Sequence, residues 1–157
     1  MKEQVLVIGG GKTFRDRSQA LDFFNTYDID YPVGGKSWKD WLTWSLEDKY
    51  EFIKFSQPMK DNADYEIWKI VFEKYFAKLN HEKLTIIAHS LGTIFILKYL
   101  IENGFQKKIK QLHLVSSIVS NDFQPPDDME NTGSFTFDLS KVSTINTICE
   151  EIHLWHS

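Results

Sequence analysis

The stretch "LTIIAHSLGTIF", Leu84 to Phe95, constrains this chain more than any other. An apolar run, Leu84–Ala88, meets a second one through His89-Ser90-Leu91-Gly92 with almost no loop between them. The first run is apolar on consecutive positions, as a strand covered on both faces must be. The second, "GTIFILKYLIENG", is apolar nearly all round and closes at Asn103-Gly104, which reads as a buried helix with a glycine C-cap. So tight a strand-to-helix turn forces Ser90 into a strained backbone conformation and lifts its Oγ above the sheet. Bulk two residues before and two residues after the serine would collide across the turn. Ala88 and Gly92 are small at those places, which is the G-x-S-x-G nucleophile turn with alanine in its first slot. The helix start adds the free N–H of Leu91 and a partial positive charge where an oxyanion would form. The competing reading is that Ser90 simply caps the helix.

A nucleophile on such a turn demands a particular surrounding fold. Five short runs read as strands: Val5–Ile8, Tyr50–Phe55, Leu84–Ala88, Gln111–Ile118 and Ile152–Trp155. Helical patterns lie between them. In "DYEIWKIVFEKYFAKL" the apolar residues recur at three and four, one face of a helix. "FRDRSQALDFF" is a second helix, and Val142–Ile148 fits a helix or a strand. Trp38, Trp41 and Trp44 fall three apart and read as a buried helix face. This alternation predicts parallel strands with right-handed crossovers in a three-layer α/β/α sandwich, residues 1–157 forming one domain.

Two segments flank the expected site. "IGGGKTF" follows the first strand but fails as a phosphate loop, since Leu6 stands where the first glycine is needed. It fails as a dinucleotide fingerprint too, with Phe14 at the third glycine. What remains is a run of three glycines after a strand, backbone that can approach a ligand closely and turn an N–H towards it. Ser120 to Asp138 is longer than a plain connection, and it is expected to overhang Ser90 with Phe123, Met129, Phe135 and Phe137.

Composition excludes several classes. The net charge of -4 and a pI near 5.7 oppose nucleic-acid binding, which rests on neutralising phosphates. No apolar run approaches the roughly 20 residues that span a bilayer, and the N-terminus lacks a signal-peptide core, so a cytoplasmic protein is expected. Cys149 cannot pair within the chain and reads as a small buried side chain. His81, His113, His153 and His156 lack the spacing of a helical zinc pair, His89 reads as a packed histidine pointing away from Ser90, and no metal or other cofactor is expected.

Taken in order, "VLVIGGGKTF", "KFSQPMKDNADYEIWKIVFEKYF", "LTIIAHSLGTIFILKYL" and "EEIHLWHS" resemble the small serine hydrolases of the retinoblastoma-binding-protein type, a compact α/β-hydrolase family. The resemblance implies strand order 2-1-3-4-5, Ser90 as nucleophile, and oxyanion donors at the N–H groups of Leu91 and of Gly10 or Gly11. It implies a small ester or amide as substrate. Ala88 stands where the family usually has glycine. In the family the triad acid follows a strand like "IHLWHS", and a further strand and loop bring the histidine. Both are therefore expected beyond residue 157, with the last strand and helix missing and the chain by itself nearly inert. Asp122 and His156 are the substitutes within it. A non-catalytic binding protein on the same fold is the alternative.

Overall fold

The computed structural model describes residues 2–14, 16–26, 37–79, 84–106, 108–117 and 133–155. Five strands, β1 (Glu3–Ile8), β2 (Tyr50–Phe55), β3 (Leu84–His89), β4 (Ile109–Val115) and β5 (Cys149–Trp155), form one sheet in the order β2-β1-β3-β4-β5. Every pairing is parallel. All five expected strands are present in the implied order. β1 and β5 start earlier than their apolar runs, because polar edges such as Glu3 still join the ladder. β4 spans Ile109–Val115 rather than running on past Ser116, whose φ of 47° turns the chain out of the sheet.

The helices are α1 (Arg17–Thr26), α2 (Trp38–Leu46), α3 (Tyr65–Phe76), α4 (Leu91–Asn103) and the short α5 (Ile145–Ile148). Asp64 caps α3 by accepting the Ile67 N–H at 3.1 Å. The periodic face of α3 places Trp68 and Phe72 in the core, against Phe55 of β2 and Phe95 of α4. α4 is buried along most of its length and ends at Gly104, whose φ of 65° makes it the expected C-cap. Val142–Ile148 resolves as helical: a 3₁₀ segment, Leu139–Thr144, runs directly into α5.

The tryptophan stripe departs from expectation. α2 forms, but Trp41 is 59% and Trp44 66% exposed. A spacing of three falls short of the helical turn by about 60° at each step, so the stripe winds off the sheet-facing side. Leu42 and Leu46, four apart, turn towards the sheet instead, lining a hollow with Phe52, Thr85 and Ile87.

The long segment also departs from expectation where it is described. Phe123 and Met129 lie outside the described residues. Phe135 is fully buried in the core, edge-on to Trp68 at 5.2 Å and to Tyr65 at 6.0 Å, and Phe137 packs against the same cluster. Lys98 of α4 fastens this stretch by donating to the carbonyls of Ser134 (2.7 Å) and Thr136 (2.9 Å). Phe135 is thus drawn into the aromatic core rather than into a pocket. Cys149 is buried as expected, and burial pushes its thiol up to about 11. Among the described residues no helix is long and apolar enough to cross a membrane.

Candidate active site

Strand β3 passes into α4 through Ser90 alone, at φ 53° and ψ -129°. For a residue with a Cβ such a conformation costs about 1–3 kcal/mol and persists only where its surroundings over-determine it. They do so here. The Ser90 N–H donates to the Val115 carbonyl of β4 at 3.0 Å. Its carbonyl accepts from the Thr93 N–H at 2.8 Å and from the Thr93 hydroxyl at 2.7 Å, and Thr93 is wholly buried. The Ser90 side chain makes no capping hydrogen bond, so the capping alternative fails.

The small neighbours are required, for a reason that only the packing supplies. Ala88 is fully buried in mid-sheet, paired with Ile8 on one side and Leu114 on the other. At Gly92 a Cβ would stand 2.3 Å from the Gly9 carbonyl and 2.9 Å from Ile8 Cγ2. Bulk there collides with the end of β1, not with residue 88 across the turn. The first turn of α4 lies directly over the neighbouring strand's exit.

The glycine loop meets Ser90 from that strand. A Cβ on Gly10 would lie 3.0 Å from Ser90 Cβ and 3.4 Å from its Oγ. One on Gly11 would lie 2.7 Å from the Lys60 carbonyl and 2.9 Å from the Trp68 ring. The loop is pinned from the segment after β2: the Gln57 amide donates to the Gly9 carbonyl, the Lys12 N–H to the Lys60 carbonyl at 2.7 Å, and the Ala63 N–H to the Lys12 carbonyl at 2.7 Å. Leu91, at the first position of α4, and the Gly10-Gly11 backbone therefore converge on one edge of the sheet beside Ser90. First-turn N–H groups such as that of Leu91 have no acceptor within their own helix.

A cavity of about 310 Å³ opens here, floored by Gly10, Gly11, His89 and Ser90 and ringed by Lys12, Lys39, Lys60 and Asp61. His89 packs as expected, its ring edge-on to Trp38 at 5.7 Å, yet it borders the same cavity as Ser90. Its Nδ1 is buried without a hydrogen-bond partner. Burial first, and then the nearby Lys39 charge, hold its pKa below the usual histidine range. Lys39 is itself lowered, mainly by burial; Asp40 opposes this while Lys60 and Lys54 reinforce it. Gln57, Lys39 and Lys60 went unnoticed in the sequence, and Trp68 was read only as part of an apolar helix face. Only the Gln-Pro after β2 hinted at a fixed turn there, stabilised by the Trp68 indole N–H on the Pro58 carbonyl at 2.8 Å.

The substitute acid and base, Asp122 and His156, lie outside the described residues, as does His81. His113 and His153 stack at 4.6 Å across β4 and β5, away from Ser90. Among the described residues no cluster of three His, Cys, Asp or Glu could hold a metal ion.

Comparison with known proteins agrees with this architecture. A model of the alpha/beta hydrolase fold matches residues 53–139, more than half of the chain. The chain belongs to the α/β-hydrolase fold family. The matched span of this α/β-hydrolase carries β3, the Ser90 turn and α4. The crystal structure of the ydeN gene product from B. subtilis is similar at a TM-score of 0.63, covering 98% of this chain and 70% of that one at 22% identity. That likeness is one of fold. No curated protein sequence matches the chain. Membership of the α/β-hydrolases supports a hydrolase-like function.

Proposed function

We propose that this α/β-hydrolase is a serine hydrolase of small esters or amides, of the retinoblastoma-binding-protein type, and that residues 1–157 belong to one catalytic domain. One observation carries the reading. Ser90 is held at φ 53° by three backbone-centred hydrogen bonds, while its hydroxyl is left uncapped and borders a cavity. Strain kept at a single residue, with its side chain uncommitted, marks a position selected for what its oxygen does.

In the proposed reaction Ser90 Oγ attacks the carbonyl carbon and gives up its proton to a base. The carbonyl oxygen becomes an oxyanion accepting from the N–H of Leu91 and that of Gly10 or Gly11, aided by the positive end of α4. Collapse expels the alcohol or amine with that proton, and water then releases the acid and restores the serine. The base and the carboxylate that orients it are assigned to residues outside the described set. His89 precedes the nucleophile directly, and its ring is committed to Trp38. The buried, unpaired Cys149 suits a reducing cytoplasm.

Fluorophosphonate labelling of the full-length gene product tests the reading. Labelling that disappears in Ser90→Ala is expected. Absence of labelling, or labelling that survives the substitution, overturns it.

A further inference from the structure

The lysines around Ser90 run against the character of the whole molecule. The chain carries a net charge of -4, so its overall field repels anions. Yet Lys12, Lys39 and Lys60 border the same small cavity, opposed there by Asp61 alone. They arrive from three separate elements: the loop after β1, the first turn of α2 and the 3₁₀ turn at Lys60–Asn62. Local sequence spacing therefore does not explain their meeting.

Nor does internal pairing explain the approach of Lys39 and Lys60. Lys39 is partly buried, and its Nζ reaches within 3.5 Å of the point where a Gly9 Cβ would sit, at the root of the glycine loop. The carboxylate next to it, Asp40, is engaged elsewhere: one oxygen takes Lys54 at 2.6 Å and the other the Ser37 hydroxyl at 2.8 Å. Lys60 and Lys39 push against each other electrostatically rather than sharing an acid. Like charges gathered round one cavity give it a local potential that favours something negative between them.

We propose that the substrate taken at Ser90 is a small anionic ester, whose second, negatively charged oxyanion end is held by Lys39 and Lys60. This rests on the serine hydrolase reading for the fate of the ester but not for the binding itself. A cavity of about 310 Å³ accommodates an acyl chain of a few carbons between the serine and the lysines.

Binding of monomethyl succinate and of its neutral counterpart, dimethyl succinate, to the full-length Ser90→Ala protein tests this without requiring turnover. Calorimetric titration at low ionic strength is expected to show the monoanion bound about tenfold or more tightly than the diester, the scale of a charge-assisted contact. Lys39→Gln and Lys60→Gln are each expected to erase most of that preference. Lys49→Gln, which removes one exposed charge away from the cavity, is expected to leave it intact. Half-molar salt is expected to weaken the preference as well. Equal binding of the two esters, or equal loss with Lys49→Gln, overturns the proposal. Lysine-dependent binding of the anion without fluorophosphonate labelling sustains the anion site and sinks the hydrolase reading. Labelling at Ser90 with no anion preference does the reverse.

Discussion

The two faces of the sheet differ in kind. On one, α3 and α4 seal Leu6, Ile8, Ile86, Ala88, Leu112 and Leu114 completely or nearly so, beneath a lattice of edge-on rings built from Phe55, Trp68, Phe72 and Phe95, while towards β5 a hollow of about 490 Å³ opens beside Leu97, Ile152 and Leu154. On the other, α2 covers Val5 but leaves a hollow of about 440 Å³ beside Trp38, His113 and Trp155, the last 54% exposed. That hollow is larger and more apolar than the cavity at Ser90, and it holds none of the sequence-predicted site residues. Size and greasiness are poor guides to chemistry here. The sealed face clamps the strained serine from below, and the open face contributes the His89 ring and, from α2, Lys39 beside it. Rigidity should therefore be lopsided, and substitutions can test how lopsided it is.

The largest effects belong to the sealed face. Gly92→Val drives a branched side chain into the Gly9 carbonyl, and neither backbone can retreat without losing the turn. No soluble folded protein is expected, judged by circular dichroism. Wild-type-like spectra would break the account of the turn. Phe95→Ala, which empties the centre of the ring lattice, is expected to cost about 3–5 kcal/mol in urea unfolding.

Ala88→Leu comes next. Overpacking a site with no free surface should cost about 1–3 kcal/mol, whereas Ala88→Gly should cost roughly 0.5–1 kcal/mol and keep fluorophosphonate labelling. A leucine variant as stable as the parent would count against a tightly packed turn. Trp41→Ala on the open face removes a far larger side chain, yet it should change stability by less than about 1 kcal/mol. Parity between Trp41→Ala and Phe95→Ala would erase the contrast between the faces.

The smallest effect is one of pH, and it too belongs to the open face. His89 and His113 both titrate below their ordinary value of 6.5, each chiefly because burial disfavours the imidazolium. Lys39 reinforces this at His89, and His153 does so at His113 against the opposing Glu151. As pH falls through 6.5 the unfolded chain takes up protons that the folded chain refuses. Stability is then lost until pH drops below the folded-state values. A shallow decline in urea midpoint between pH 7.5 and 5.5 is expected, reduced in His89→Gln and His113→Gln. A slope unchanged in both variants would place its source elsewhere.

Consecutive apolar residues in Val5–Ile8 and Leu84–Ala88 were enough to announce buried parallel strands, because only a sheet covered on both sides tolerates that pattern. The abrupt passage at Ser90 and Gly104 after α4 were equally legible, since each meets a demand made by its own few neighbours. The small residues at 88 and 92 were legible as a motif, although the demand they meet comes from neighbouring strands. The tryptophan stripe misled because a spacing of three winds round the helix, so that a run facing the sheet at its start has turned away by its end. Phe135 misled because an aromatic in a long connection is drawn to whichever apolar cluster it can reach, and the reachable one was formed by α3 and α4. The convergence of Lys39 and Lys60 had no local signature at all. Their positions are separated in sequence and brought together only by the fold, which is why the turn at Ser90 could be read directly while the charge beside it could not.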